Sequence, residues 1–210
     1  MKRIYWYLGA AVIGYLLGSI NTAAIIGRIR GFDIREKGSG NAGASNALIT
    51  MGTGAAFCTT VVDMLKAFLP VFAVLNWIPY AKDVPCLAVF TGCMVIIGHI
   101  FPFWMKFRGG KGFASLLGMS LALDWRLLAG FLVLTGLILL TTKYIALATI
   151  CCAAIFPVYR TIMTHSVWEC VMLCVIFGII IWKHIPNLKR MIKGKEFGLD
   201  DLHELKHKSD

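Results

Sequence analysis

The sequence predicts an all-α polytopic integral membrane protein, and three observations support this. Of its 210 residues, 58% are hydrophobic and only 15% are charged, whereas soluble domains carry about 25% charged residues. The mean hydropathy is +0.74. Apolar runs long enough to cross a bilayer recur along the chain, without the alternation typical of a transmembrane barrel. Because lipid leaves backbone groups no solvent partner, a helical bundle is expected.

The apolar runs predict about seven transmembrane helices. Their expected ranges are 4–27, 54–78, 85–105, 112–124, 127–142, 144–162 and 167–183. The fourth and fifth are short, since 13 helical residues cover only about 20 Å, and this pair could form a hairpin that does not cross. The N-terminal segment resembles a signal peptide, but its apolar run continues without a convincing cleavage site. We therefore expect it to be kept as a transmembrane helix.

The helices are expected to form one transmembrane domain over residues 1–196, followed by a charged cytoplasmic tail at 197–210. Charges of both signs begin at about residue 195, and this end is expected to be solvated. The positive-inside rule places the N-terminus outside and the C-terminus in the cytoplasm, because most of the 21 lysines and arginines then lie inside. Stretches 38–52, 98–112 and 183–194 then share the cytoplasmic face.

The net charge of +10 fits this topology and contact with anionic lipid, so no nucleic-acid partner is predicted. The seven cysteines form no CxxC pair. They are expected to be small apolar helix residues, with no metal or redox role.

The first stretch whose residues could take part in binding or catalysis is GSGNAGASN, residues 38–46. Glycines reach positive φ easily and let backbone N–H groups converge on a phosphate. The alternative is a set of small residues for close helix packing. The small apolar residues that follow favour a re-entrant or interfacial segment. The candidate residues are Ser39 as catalytic, and Arg35, Gly40, Asn41, Gly43, Ser45 and Asn46 as substrate-binding.

The second stretch runs from His99 to Gly112 and contains Gly109-Gly110-Lys111-Gly112. An ammonium beside flexible backbone suits a phosphate or a phosphate leaving group, although the Walker spacing is missing. Lys111 is a candidate catalytic residue, and Gly109, Gly110 and His99 are candidate substrate-binding residues. The alternatives are a basic membrane anchor with a glycine turn, and a histidine that is merely packed.

The third stretch places His184 and Asn187 three residues apart, so that they could share a helix face. Both are candidate catalytic residues at the cytoplasmic rim, and the alternative is a stop-transfer basic cluster. Pro186 is expected to end or kink the helix. Separately, Asp63 and Lys66 lie within the second predicted span and are expected to pair, either structurally or as a wall of the site.

Together the three stretches resemble the bacterial acyl-phosphate:glycerol-3-phosphate acyltransferases, the PlsY family, over about residues 10–196. The resemblance implies a seven-helix enzyme of the bacterial inner membrane with cytoplasmic catalysis. It would transfer a fatty acyl group from acyl phosphate to glycerol 3-phosphate, giving lysophosphatidate and phosphate for phospholipid synthesis. Its partners would be these substrates and the bilayer, with no metal or other cofactor. The His-x4-Asp acyltransferase signature and the GxSxG elbow are absent.

One departure from the family pattern concerns Ile49, where the family commonly carries an arginine. Losing an arginine–phosphate contact costs about 1.5–3 kcal/mol, which is roughly ten- to a hundredfold in affinity. Weakened activity, an altered acceptor or a non-catalytic paralogue are therefore alternatives. A transporter for a phosphorylated solute is another, although no internal repeat supports it.

Overall fold

The computed structural model describes residues 2–198 and residue 201, and this part of the chain is helical without strands. Its nine α-helices are α1 Lys2–Gly18, α2 Thr22–Ile29, α3 Ala44–Met51, α4 Thr53–Asn76, α5 Leu87–Ile100, α6 Phe113–Leu123, α7 Trp125–Thr142, α8 Ile145–Thr164 and α9 Val167–Ile192. Two 3-10 segments lie at Ile34–Glu36 and Phe103–Met105. Most of the expected tail lies outside the described residues.

Six segments of the described chain are long and apolar enough to cross a membrane. They are Arg3–Ile29, Thr53–Asn76, Leu87–Met105, Trp125–Thr142, Ile145–Thr164 and Val167–Ile192. The helix Phe113–Leu123 is apolar but shorter. The all-α membrane class and the short fourth helix are thus confirmed, whereas the fifth helix reaches 18 residues and is longer than expected. The orientation of the bundle stays a prediction.

The first predicted helix, 4–27, is in fact two helices. The side chain of Asn21 caps α2 by accepting a hydrogen bond from the backbone N–H of Ala24 at 2.8 Å. Asparagine favours this N-cap role over a helix interior, because its carboxamide competes with the backbone ladder. The expectation of one uninterrupted helix was wrong because this cap signal lay inside an apolar run. Similarly, α5 ends at Ile100, just before Pro102.

Pro186 was expected to end or kink the last helix. It does not end it, because α9 continues to Ile192. A proline inside a helix removes one donor and costs about 3 kcal/mol. The last turns have compensating contacts. Arg190 Nε donates to Glu196 Oε2 at 2.7 Å, and Asn187 donates to the other oxygen of that carboxylate. These contacts tie the turns that follow Pro186 to the segment just beyond the end of α9.

The chain divides into two compact units, Met1–Trp125 and Arg126–Asp210. In the first unit, α1 and α5 approach closely at Gly18 and Gly98. A Cβ at Gly18 would clash with the backbone of Val95, and one at Gly98 with the backbone of Tyr15. Glycine gives helices this proximity in membrane proteins, where van der Waals packing drives their association.

Helix α3 lies within the connection for which we expected a re-entrant or interfacial segment. Its Ala47 and Met51 pack with residues of α2 and α4 in a buried cluster. The members of this cluster are Ala23, Ala24, Ile34, Ala42, Ala47, Met51, Ala55 and Met105. Packing of small apolar residues therefore orders the connection, and its depth in a bilayer stays a prediction.

The second unit contains α7, α8 and α9. The rings of Phe131 and Phe156 meet edge to face at 5.8 Å between centroids, which joins α7 to α8. One turn further along α8, Arg160 Nη2 lies 2.8 Å from Glu169 Oε2 on α9.

Candidate anion-binding site

Asn46 shapes the glycine loop that precedes α3. Its Oδ1 accepts a hydrogen bond from the backbone N–H of Ser39 at 2.8 Å, and its Nδ2 donates to the carbonyls of Ile34 and Lys37, both at 3.0 Å. The side chain is fully buried. Gly38 takes a φ of +57°, and a Cβ there would clash with Asn46 Oδ1. The loop thus curls around Asn46 and leaves Ser39 exposed.

Helix α3 begins directly after this loop, with Gly43 at its N-cap. Glycine offers no side chain to cap the first turn, whose leading N–H groups have no partner within the helix. Ser45 is exposed on this turn, and Asn41 is half-buried beside Gly43. The positive end of a helix dipole favours a phosphate at such a terminus.

The second glycine loop, 108–112, is held by the end of α5. The backbone N–H of Gly109 donates to the carbonyl of Ile100 at 3.0 Å, and that of Gly110 donates to the carbonyl of His99 at 3.1 Å. A Cβ at Gly110 would clash with His99 Nε2. Gly112, with φ of +94°, is the N-cap of α6. The half-buried Lys111 therefore directly precedes a second helix N-terminus.

The structure brings these two loops together within the first unit. The carbonyl oxygen of Ala42 in the first loop would lie 3.1 Å from a Cβ at Gly110 in the second. The same oxygen accepts a hydrogen bond from Asn21 Nδ2 at 2.9 Å. Arg35 also links the two connections, because its Nη1 donates to the carbonyl of Met105 at 2.7 Å. Asn21 was not among the predicted site residues, although an asparagine before a helical run is a cap signal.

Arg35 is engaged by an acidic neighbour as well. Its Nη2 lies 2.6 Å from Asp33 Oδ2, and its Nε contacts both carboxylate oxygens. These hydrogen bonds lower the pKa of Asp33 to about 2, and the carboxylate in turn raises the pKa of Arg35. Any substrate phosphate would share this guanidinium with Asp33.

The expected pairing of Asp63 and Lys66 is confirmed. Lys66 Nζ lies 2.7 Å from Asp63 Oδ1, and both side chains are almost fully buried. The sequence did not show that His99 joins this pair, with Nδ1 2.9 Å from the ammonium. Lys66 also donates to the carbonyl of Ile20 at 2.6 Å, in the break between α1 and α2.

In the second unit, His184 and Asn187 lie on one buried face of α9, as their spacing predicted. His184 Nδ1 is 2.8 Å from the carbonyl oxygen of Ile180. The carboxylate of Glu196 accepts hydrogen bonds from Asn187 and Arg190 and is only 7% exposed. The expectation of a solvated end from about residue 195 was therefore wrong at this residue, because two donors on α9 bind its carboxylate.

Two glycine loops, each at a helix N-terminus in a helical membrane protein, define a class of integral membrane protein suited to binding anions. The model of the family described as "Glycerol-3-phosphate acyltransferase" matches residues 8–194. The chain belongs to this family.

Relatives and solved structures agree with that assignment. The chain is 36% identical over 194 residues to a glycerol-3-phosphate acyltransferase of Trichlorobacter lovleyi, covering 92% of this chain and 95% of the relative. It is 38% identical over 199 residues to glycerol-3-phosphate acyltransferase 2 of Moorella thermoacetica, covering 93% and 98%. The glycerol 3-phosphate form of PlsY (YgiH), an integral membrane glycerol 3-phosphate acyltransferase, superposes with a TM-score of 0.86 at 30% identity, covering 95% of this chain and 98% of that one.

Proposed function

We propose that this protein transfers a fatty acyl group from acyl phosphate to glycerol 3-phosphate, giving lysophosphatidate and inorganic phosphate. The carrying observation is the meeting of the Ser39 and Lys111 loops, each of which ends at a helix N-terminus. Family membership supports the reaction class, and a PlsY structure described as the lysophosphatidic acid form superposes with a TM-score of 0.80.

For this reaction the protein needs mainly to bind and orient two anions. Acyl phosphate is an activated mixed anhydride, so the acceptor hydroxyl can attack its carbonyl carbon directly while phosphate departs. No nucleophilic side chain is needed. The enzyme must instead offset the repulsion between two phosphates and stabilise the negative charge that develops during the attack.

The proposal assigns the acyl phosphate to Ser39, Asn41 and Gly43 together with Lys111. The positive end of α3 and the ammonium of Lys111 suit the phosphate leaving group. From the sequence pattern alone, His184 and Asn187 are assigned to the acceptor phosphate, with help from Arg35 or Lys37. The departing phosphate would itself take the hydroxyl proton, which removes the need for a side-chain base.

The donor and the sidedness of the reaction are part of the proposal. An acyl phosphate donor with a fatty chain would bring its tail into the bilayer, and the positive-inside pattern supports catalysis on the cytoplasmic face of a bacterial inner membrane. Purified protein should form lysophosphatidate from acyl phosphate and glycerol 3-phosphate. Faster product formation from acyl-CoA or acyl carrier protein than from acyl phosphate would contradict the donor assignment.

The role of Lys111 can be tested in the same assay. Lys111→Ala should lower kcat/KM at least about tenfold, which corresponds to the loss of about 1.4 kcal/mol of transition-state stabilisation. Lys106→Ala is the matched control, because it removes an exposed cation from the same connection. Equal rates for Lys111→Ala and the unmodified protein would remove Lys111 from the mechanism.

A further inference from the structure

We propose that Asp63, Lys66 and His99 form a positioning network, defined as these three buried side chains, that holds the two glycine loops in a fixed relative position. The inference rests on the proposed function, in which those loops bind the phosphate groups. All three side chains are buried within helices α4 and α5, so they would act through the loops without touching substrate.

Lys66 is the centre of the network. Its ammonium has three donors and no acceptor, and it has three neighbours, the Ile20 carbonyl, His99 Nδ1 and Asp63 Oδ1, at 2.6, 2.9 and 2.7 Å. The Asp63 contact is a close ion pair without good hydrogen-bond alignment. The donor in the Lys66–His99 contact depends on the tautomer of the imidazole, and the same Nδ1 also lies 3.6 Å from Asp63 Oδ1, so His99 contacts both members of the ion pair.

One arm of the network reaches the first loop. Lys66 donates to the carbonyl of Ile20, and the next residue, Asn21, donates to the carbonyl of Ala42 through its side chain. Ala42 directly precedes Gly43, the N-cap of α3. The path from the ammonium to the start of the first anion-binding helix is therefore two hydrogen bonds and one residue of backbone.

The other arm reaches the second loop. The carbonyl of His99 accepts from the N–H of Gly110, and the Nε2 edge of the ring lies against Gly110, leaving no room for a Cβ. Ser115 on α6 donates to the backbone carbonyl of Asp63 at 3.1 Å. The loop that carries Lys111 is thus fixed at both ends by residues of the network.

A buried ion cluster is a poor way to raise the free energy of unfolding. Burying an ion pair has a large desolvation penalty, and apolar side chains of similar volume often give equal or greater stability. A buried lysine with two directed contacts and one close ion pair fixes geometry better than an apolar side chain, which packs without direction. We therefore expect the main role of the network to be the placement of the loops, and its contribution to the free energy of unfolding to be secondary.

The test replaces the ion pair with apolar residues in the double variant Asp63→Leu/Lys66→Met. This change removes the directed contacts without leaving an uncompensated buried charge. The matched control is Arg160→Met/Glu169→Leu, which removes the partly buried ion pair between α8 and α9 in the second unit. Thermal unfolding in detergent verifies that both proteins are folded.

The first readout is limited trypsin cleavage at Lys106, Arg108 and Lys111, which does not depend on activity. Faster cleavage at these sites in Asp63→Leu/Lys66→Met, and not in the control, is the expected result. Unchanged cleavage, or equally faster cleavage in both double variants, would overturn the proposed role of the network. A protein without acyl transfer activity would refute the proposed function, while this readout would still decide the present inference.

The second readout is a double-mutant cycle with Lys111→Ala. If the network acts by placing Lys111 and its loop, Asp63→Leu/Lys66→Met should lower kcat/KM at least about tenfold alone but much less in the Lys111→Ala background. A purely structural role predicts the same fold-loss in both backgrounds, or full activity in the folded apolar variant. His99→Asn, which retains an acceptor near Nδ1, should lose less activity than His99→Phe.

Discussion

The two glycine loops serve the same expected purpose but are held by different means. The loop before α3 is shaped locally, because Asn46 lies only seven residues after Ser39 and binds the loop backbone with its carboxamide. The loop before α6 is shaped by the end of α5, whose carbonyls accept its N–H groups and whose histidine ring fills the space beside Gly110. Gly38 needs both its positive φ and its lack of a side chain, whereas Gly110 needs only its lack of a side chain.

The largest expected effect is a steric one in the second loop. In Gly110→Ala the new Cβ would clash with the buried ring of His99 and displace the loop that carries Lys111. A displacement of about 1 Å can reduce a rate about a hundredfold, so we expect kcat/KM to fall by about that factor. Gly136→Ala is the control, since no atom lies within 4 Å of a Cβ built there. Similar activity of the two variants would show that the close contact with His99 is not needed.

The next effect is a gain at the first loop. Ile49 lies half-buried on α3, at the position where the family resemblance led us to expect an arginine. Ile49→Arg should strengthen phosphate binding by about ten- to a hundredfold if the guanidinium makes a charge-assisted contact. The measurement is KM for each substrate, and Ile29→Arg, at an exposed isoleucine, controls for added charge. No gain, together with no basal rate, would favour a non-catalytic paralogue.

A smaller loss is expected when the first loop loses its internal support. Asn46→Ala removes three hydrogen bonds, and each buried group left unsatisfied costs about 1–3 kcal/mol. The loop is nonetheless exposed at Ser39 and can recruit water, so we expect about a tenfold fall in kcat/KM with a lower melting temperature. Asn76→Ala, at an exposed asparagine at the end of α4, is the control. A variant with full activity would show that Asn46 does not shape the functional loop.

Local patterns predicted most of this structure, and the exceptions share a physical cause. The apolar runs gave the helices because lipid demands internal hydrogen bonding. The glycine-rich stretches predicted the loops, because a positive φ is a property of the individual residue. The break at Asn21 has a local cap signal but also depends on a long-range hydrogen bond to Ala42, and the continuation through Pro186 is accompanied by contacts with Glu196, beyond the end of α9. The link from Lys66 to His99 likewise joins residues on different helices.

The smallest effect concerns Asp33, the acidic partner of Arg35 near the first loop. Arg35 holds the pKa of this carboxyl at about 2, below its ordinary value of 3.8. The folded state therefore binds the proton less tightly than the unfolded chain does. The ion pair stabilises the folded protein above about pH 4, and this contribution is lost as the pH falls toward 2. Because both side chains are partly exposed, solvent limits the contribution to at most about 1 kcal/mol.

The measurement for Asp33 is the difference in melting temperature between the unmodified protein and Asp33→Asn, in detergent, from pH 6 to pH 2. Other carboxyl groups titrate over the same range, but they do so in both proteins and cancel in the difference. The difference should be constant from pH 6 to about pH 4 and then shrink toward zero, since a protonated Asp33 no longer attracts the guanidinium. A difference that grows on acidification would contradict the lowered pKa. The same variant leaves Arg35 without its carboxylate, so a lower KM for glycerol 3-phosphate would indicate that Asp33 competes with the acceptor phosphate for this guanidinium.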